Sequence, residues 1–457
     1  MASKHTLDLT QGPILKRLFS FAIPIFFTLV LQHLYDAADK AVVGQFAVNG
    51  KEALAAIGAT GAVNAMILNL KTGLATGVNI HCSKLRGAGD AEGLRKGMHS
   101  SVLLSVITGT ILAIIGIVIS EPVLRALGTP EAIMKDAVLY MQLRMVGLPV
   151  MSVYNFCNGI FRSHGDTKRP MFILLISGLL NVALNVVFVV VFKMRVAGVA
   201  IATTASQLIT AVFLLKILFD PKDAYRLTLK ELKVSQSAAK EVFRLGIPAG
   251  VNAMVVNLGN VVVQSSINSF NDTALIAAKT VVADIMNLLM QALHAFALGC
   301  VSFAGQCYGA KNYKRIDKLA VTTILCGSGL LLVEAIIVTL FPNAIIGIFN
   351  KDPAVLAIGK TILLIQAWGF LLNAFSDVLS NCVKGMGRSI GPTIINIAAN
   401  MLPRVLWVLL IFPLNRTVTW LYMCFPLSWL ISSVTLTVYY IAVRKKLNRE
   451  LALETAQ

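Results

Sequence analysis

About twelve apolar runs divided by short polar breaks occupy almost the whole chain, the pattern of a polytopic helical membrane protein. The runs predict helices over 15–46, 53–80, 94–119, 131–158, 168–192 and 196–219, then 241–268, 274–304, 318–341, 354–382, 390–413 and 418–443. Each is long enough to cross roughly 30 Å of hydrocarbon. The division between 168–192 and 196–219 is the thinnest, resting on Lys193, Met194 and Arg195 alone.

The runs fall into two matching sets. Gly77, Gly87 and Ala88 return as Gly299, Gly309 and Ala310, and Gly147, Gly165 and Pro170 as Gly369, Gly387 and Pro392, always 222 residues later. Ile23-Pro24 returns as Ile247-Pro248 at an offset of 224. Six crossings bring the chain back to its starting side, so the repeats run parallel, about an axis along the membrane normal. The expected architecture is all-α: twelve transmembrane helices in two six-helix bundles around a central cavity. The bundles are placed at 1–219 and 241–457, with 220–240 as a basic, polar cytoplasmic linker.

Charge adds an orientation. The N-terminus, the loops near 81–96, 162–169, 220–244, 309–318 and 384–388, and the C-terminal tail hold about 26 Lys and Arg, against about 8 in the alternate loops, which places both termini in the cytoplasm. A net charge of +18 would suggest nucleic acid on a soluble face, but here it is scattered over short loops, so no nucleic-acid partner is expected. Only 14% of residues are charged while 56% are hydrophobic, too little charge for the surface of a soluble protein this long. The seven cysteines are separated and mostly within apolar runs, so no disulfide framework or metal site is expected. The first apolar run is too long for a cleavable signal peptide and lacks a small-residue cleavage site. The expected location is the plasma (inner) membrane.

The most informative stretch is Leu29–Gly44, where Asp36 and Asp39 stand three apart on one helical face with Gln32 a turn earlier. Charges at bilayer depth are costly and usually face a wet cavity or a protein interior. A structural pair between Asp36 and Lys40 would neutralise one acid but leaves Asp39 unexplained. Two acids close together in a low dielectric resist double ionisation, and a proton or sodium ion relieves that repulsion. Asp36 and Asp39 are therefore the expected cation-coupling residues, with Na+ the only metal ion anticipated there.

The chain resembles the multidrug and toxic compound extrusion family of cation-coupled antiporters over nearly its whole length. The resemblance rests on Leu-Tyr-Asp-Ala-Ala-Asp-Lys-Ala-Val-Val-Gly at 34–44, the loop Gly159–Pro170, Tyr308-Gly-Ala-Lys-Asn-Tyr313, Lys384-Gly-Met-Gly-Arg388 and Pro403-Arg-Val-Leu-Trp407. It implies export of organic, often cationic, amphipathic compounds by alternating access, driven by a proton or sodium gradient, with no cofactor. A monomer is expected. Many relatives have Asn in place of Asp36 and keep an acid at Asp39. Many also carry Asn-x-x-x-Asp in the fifth helix, where this chain reads Asn185-Val-Val-Phe-Val189. On this reading Asp36 replaces the acid missing at Val189.

Further cavity candidates come from intramembrane polar positions, some related by the repeat: Gln32, Tyr35, Asn155, Asn181 and Asn185 in the first half, and Asn260, Asp284, Gln291, Asn373 and Asp377 in the second. For most of the Asn and Gln residues, hydrogen bonding between helices is the simpler expectation. Lys71, Lys279 and Arg404 read as counter-ions or snorkelling side chains. Tyr35-Asp36 with Gly87-Ala-Gly-Asp90 mimics the motif pair of intramembrane aspartyl proteases, but places its acids at opposite depths, and no enzymatic activity is expected. The alternative reading is a flippase for lipid-linked saccharide precursors, which favours a cation-rich cavity.

Overall fold

The computed structural model describes residues 6–47, 49–223 and 225–456, without the side chains of 256–258 and 455–456. Among these residues there is no β-strand. The helices of the first half are α1 (Ile14–Phe46), α2 (Gly50–Ala59), α3 (Gly61–Gly87), α4 (Ala91–Ala126), α5 (Glu131–Val146), α6 (Leu148–Ser163), α7 (Lys168–Asn185, continued by a π-turn over Val186–Val191) and α8 (Arg195–Leu218). The second half holds α9 (Gln236–Asn268), α10 (Thr273–Gly309), α11 (Tyr313–Leu340), α12 (Pro342–Gly347), α13 (Pro353–Gly385), α14 (Ile390–Asn396), α15 (Leu402–Leu406), α16 (Val418–Tyr422) and α17 (Cys424–Ala456).

Among the described residues, ten segments are long and apolar enough to cross a membrane, or twelve if two bent pairs each count as one span. Those pairs are α2 with α3 and α5 with α6, each bent by 47°. The predicted helices over 53–80 and 131–158 are thus broken. Thr60 and Gly147 sit at the breaks, and Gly147 is one of the repeated glycines. The thin division after α7 holds: Lys193 and Arg195 both adopt positive φ (54° and 50°) and reverse the chain there. Many large apolar side chains stand exposed along the helices, among them Val118, Ile176, Leu325, Leu409 and Val438. Water would penalise such surfaces, whereas lipid accepts them. The protein is a multi-pass membrane protein.

The chain packs as two compact units, and each takes part of a helix from the other half of the sequence. One comprises the residues up to Asp8 and Ile23–Gly250; the other comprises Leu9–Ala22 and Val251–Gln457. The boundaries fall within two residues of Pro24 and Pro248, the repeat-related prolines inside α1 and α9. Proline lacks the N–H that would continue the helical ladder, so it weakens a helix at that point. In the second unit, Phe19 and Phe21 lie edge-on to Phe296 and Phe303 of α10, with centroids 5.2 and 5.8 Å apart.

Repeat-related turns do the same local work. Asp90 caps α4 by accepting from the Gly93 amide at 2.8 Å, and Asn312, 222 residues later, caps α11 by accepting from the Arg315 amide. The protease-like Gly-x-Gly-Asp sequence is therefore a helix start.

The connection after α8 is tied to the first unit. The Thr228 amide donates to His99 Nε2 at 3.0 Å, and the Ser235 amide to Ser100 Oγ at 3.2 Å. Tyr225 is buried against Phe161 and His164. Burial pushes the His164 imidazole down to about 3, with Arg86 adding to the shift, so it stays neutral at neutral pH. Arg169 bridges Asp166, which is buried, and Asp223, and its guanidinium lies over the Tyr225 ring. Removing one member of a buried charge cluster costs more than the pair contributes, because the other charge stays behind. Arg169→Ala is expected to destabilise the first unit by about 3 kcal/mol, and Arg169→Lys by less. Thermal unfolding in detergent measures both.

Candidate functional site

Each unit contains its own polar cavity. The cavity of the first unit has a volume of 350 Å³ and is lined by Asp36, Asp39 and Lys40 of α1, Asn64 and Lys71 of α3, and Tyr140 and Arg144 of α5, with Met145 and Met151 among its apolar contacts. Asp39 is buried, at 8% exposure. Its carboxylate accepts from Asn185 Nδ2 at 2.5 Å and from Thr203 Oγ1 at 3.1 Å, so α7 and α8 both close on it. Asn185 Nδ2 also donates to Asn181 Oδ1 at 3.3 Å, while Asn185 Oδ1 is buried without a hydrogen-bond partner. Carboxylate, hydroxyl and amide oxygens are donors that a hard cation takes, and here the Asn185 amide turns its Nδ2 toward Asp39. The same carboxylate can instead take a proton.

Asp36 lines the same cavity but is exposed. No ion pair joins it to Lys40 among the described residues. Val189, where the resemblance led us to look for an acid, is 1% exposed and packs with Val42, Val43, Val196 and Val199 in an apolar cluster.

The other first-half candidates are engaged away from this lining. Gln32 donates to the Tyr154 hydroxyl at 3.1 Å, Tyr35 to the Leu175 carbonyl at 3.2 Å, and Asn155 to the Met151 carbonyl at 2.8 Å. Asn181 and Asn185 stand behind Asp39 and do not line the cavity itself. The physical reason is common to all: an amide or phenol at bilayer depth closes on the nearest backbone or side-chain partner.

The second unit's cavity, of 560 Å³, is lined by Asn260, Lys279, His294, Asn373, Asp377 and Arg404, among others. Arg404 donates to Ser428 Oγ at 3.0 Å and Asn260 Oδ1 at 3.2 Å, and its guanidinium lies 4.6 Å above the Phe425 ring. Asp377 Oδ1 accepts from Asn381 at 3.0 Å, and its Oδ2 is buried without a partner. Asn373 accepts from Ser376. Asp284 is exposed and off the lining, and Gln291 donates to the Asn287 carbonyl one turn back.

Sequence reasoning missed Arg144, Thr203, Asn396 and Asn400. The last two could have been found, since Asn396, Asn400 and Arg404 recur every four residues and all line one cavity. The weighting of charge also changes. In the first cavity Lys40, Lys71 and Arg144 outnumber the two acids, and in the second Lys279 and Arg404 outnumber Asp377. The cation-rich cavity expected only of the flippase alternative is thus present.

The MatE family profile matches residues 24–187 and 248–409, and the chain belongs to that family, whose members handle small-molecule drug substrates. It is 27% identical over 390 residues to the probable multidrug resistance protein YpnP of Bacillus subtilis, covering 85% of this chain and 86% of that one. It is 25% identical to an FAD transporter of Shewanella oneidensis, over 78% of each chain. Its fold matches a solved MOP-superfamily transporter of Pyrococcus furiosus, described as having a binding pocket of reverse polarity, with a TM-score of 0.90, 22% identity and coverage of 98% and 99%.

Proposed function

We propose that the protein is a cation-coupled antiporter that exports amphipathic organic compounds across the plasma membrane by alternating access. It acts as a monomer with both termini in the cytoplasm, and H+ or Na+ is the coupling ion. The observation that carries this reading is the Asp39 carboxylate, buried between Asn185 and Thr203 at the wall of the cavity. Binding a cation there replaces a buried negative charge with a neutral site, which changes the relative stability of two states of the first unit. A ligand shifts such an equilibrium only by its differential affinity for the two states. Export follows when the cation favours the outward-facing, cargo-releasing state.

Asp36 holds a second negative charge within electrostatic reach of Asp39. It stands in for the acid absent at Val189, although from the open wall of the cavity. Asp36→Asn is therefore expected to lower gradient-driven efflux roughly tenfold, a loss of about 1.4 kcal/mol of coupling, and to shift the cation concentration for half-maximal rate. Dye retention in intact cells, with and without an uncoupler or a sodium-depleted medium, tests the whole reading. Retention that is the same with and without the transporter, for every amphipathic dye, cationic or anionic, argues against it.

A further inference from the structure

The first unit's cavity carries more cations than acids on its lining, Lys40, Lys71 and Arg144 against Asp36 and Asp39, and the Arg144 charge reaches Asp39 as well as Lys71. Lys71 is 1% exposed, and its ammonium meets the Met151 thioether sulfur at 3.4 Å, a weak acceptor. The charge acting on it is that of Arg144, which has the same sign. No carboxylate lies within ion-pair distance of either residue among the described residues. Asp39, on the same cavity, is held by Asn185 and Thr203. Lys71 is buried and Arg144 half-buried, and the excess of positive charge on this lining is costly to hold away from water without a counter-charge. The cost is recovered when a ligand brings the missing negative charge.

We infer that Lys71 and Arg144 form a receptor for the phosphate ester of an anionic amphiphile, so that the first unit's cavity binds the head of the cargo by its negative group. The inference rests on the transport function proposed above and adds to it that this cavity is the cargo site. A guanidinium presents a planar fork to two phosphate oxygens, and an ammonium adds a point charge. Tyr140, Met145 and Leu148 line the same space and supply adaptable apolar contact for the rest of the molecule. A volume of 350 Å³ suits a head group or a small ligand and is within the range of known ligand pockets. The phosphate could belong to a water-soluble ester or to a phospholipid, and the chemistry at Lys71 and Arg144 is the same for both.

Two matched pairs of probes separate these sources. Riboflavin and flavin mononucleotide differ by one phosphate, as do a monoacylglycerol and the lysophosphatidic acid of the same chain. Equilibrium binding to the purified full-length protein is expected to favour the phosphate member at least tenfold in one pair or both. The flavin pair discriminating alone assigns a soluble cargo, and the lipid pair alone assigns a lipid. Lys71→Met, which fits beside Met151, should abolish the preference, Arg144→Gln should reduce it, and Lys71→Arg should retain it. Unfolding temperatures identify variants that are merely unstable, and the Arg substitution keeps the test meaningful if the Met variant is one of them. Equal binding within both pairs, or an undiminished preference in a folded Lys71→Met variant, overturns the inference. Because binding needs no gradient, a phosphate preference without gradient-driven efflux would count against the coupling mechanism alone.

Discussion

Replacing Asp39 with Asn is expected to lower gradient-driven efflux at least a hundredfold while leaving a folded protein. The substitution keeps the size of the side chain and one acceptor oxygen, so Thr203 or Asn185 retains a partner. What disappears is the charge. A neutral side chain binds neither a proton nor a sodium ion in this range, so the cation loses its differential affinity for the two states and the gradient no longer biases them. A hundredfold loss corresponds to about 2.7 kcal/mol, within the 1–3 kcal/mol usual for coupling between sites. Exchange of labelled for unlabelled cargo, which needs no gradient, should survive in the variant. Proteoliposomes assayed in both modes separate lost coupling from lost binding.

The second large effect concerns packing. Gly73 and Gly77 of α3 face Gly246 and Gly250 of α9, each pair four residues apart. A Cβ built at Gly73 would stand 2.2 Å from the Gly250 nitrogen, and one at Gly77 2.4 Å from the Val242 carbonyl oxygen. The obstacle is backbone in both cases, so no side-chain rotation relieves it. Close approach of this kind through small residues is how helices associate in lipid, where apolar burial supplies no driving force. Gly73→Val should therefore separate the two helices and destabilise the first unit by about 3 kcal/mol or more. Gly58→Ala, where nothing lies within 4 Å, should be neutral or slightly stabilising. Yield and unfolding temperature in detergent give the ranking; equal behaviour of the two variants would refute the packing argument.

How much of this was legible in the sequence depends on whether a signal was local. Apolar runs, repeated glycines and positively charged loops are local, and they fix the spans and the family resemblance. Asp39 stood out because an acid inside an apolar run has few structural explanations. Its partners did not, since Asn185 lies 146 residues away and Thr203 164, and no spacing rule reaches that far. The breaks at Thr60 and Gly147 were hidden because each falls within a run that is apolar on both sides. Lys71 read as a counter-ion or a snorkelling side chain, and only the folded chain brings Met151 to its ammonium and Arg144 within electrostatic reach. Lys40 and Lys71 were visible as charges in apolar runs, but that they share one lining with Arg144 follows only from the fold.

The most direct test of the account runs the coupling backwards. Proteoliposomes loaded with cargo and diluted into cargo-free buffer, with no ion gradient, would be followed with a luminal pH dye and with radioactive sodium. Linkage is reciprocal, so outward flow of cargo must draw the coupling cation inward in fixed proportion. The account predicts inward movement of one of the two ions, absent in Asp39→Asn. Cargo leaving with no movement of either ion, or with the same movement in Asp39→Asn, would contradict coupling at this carboxylate.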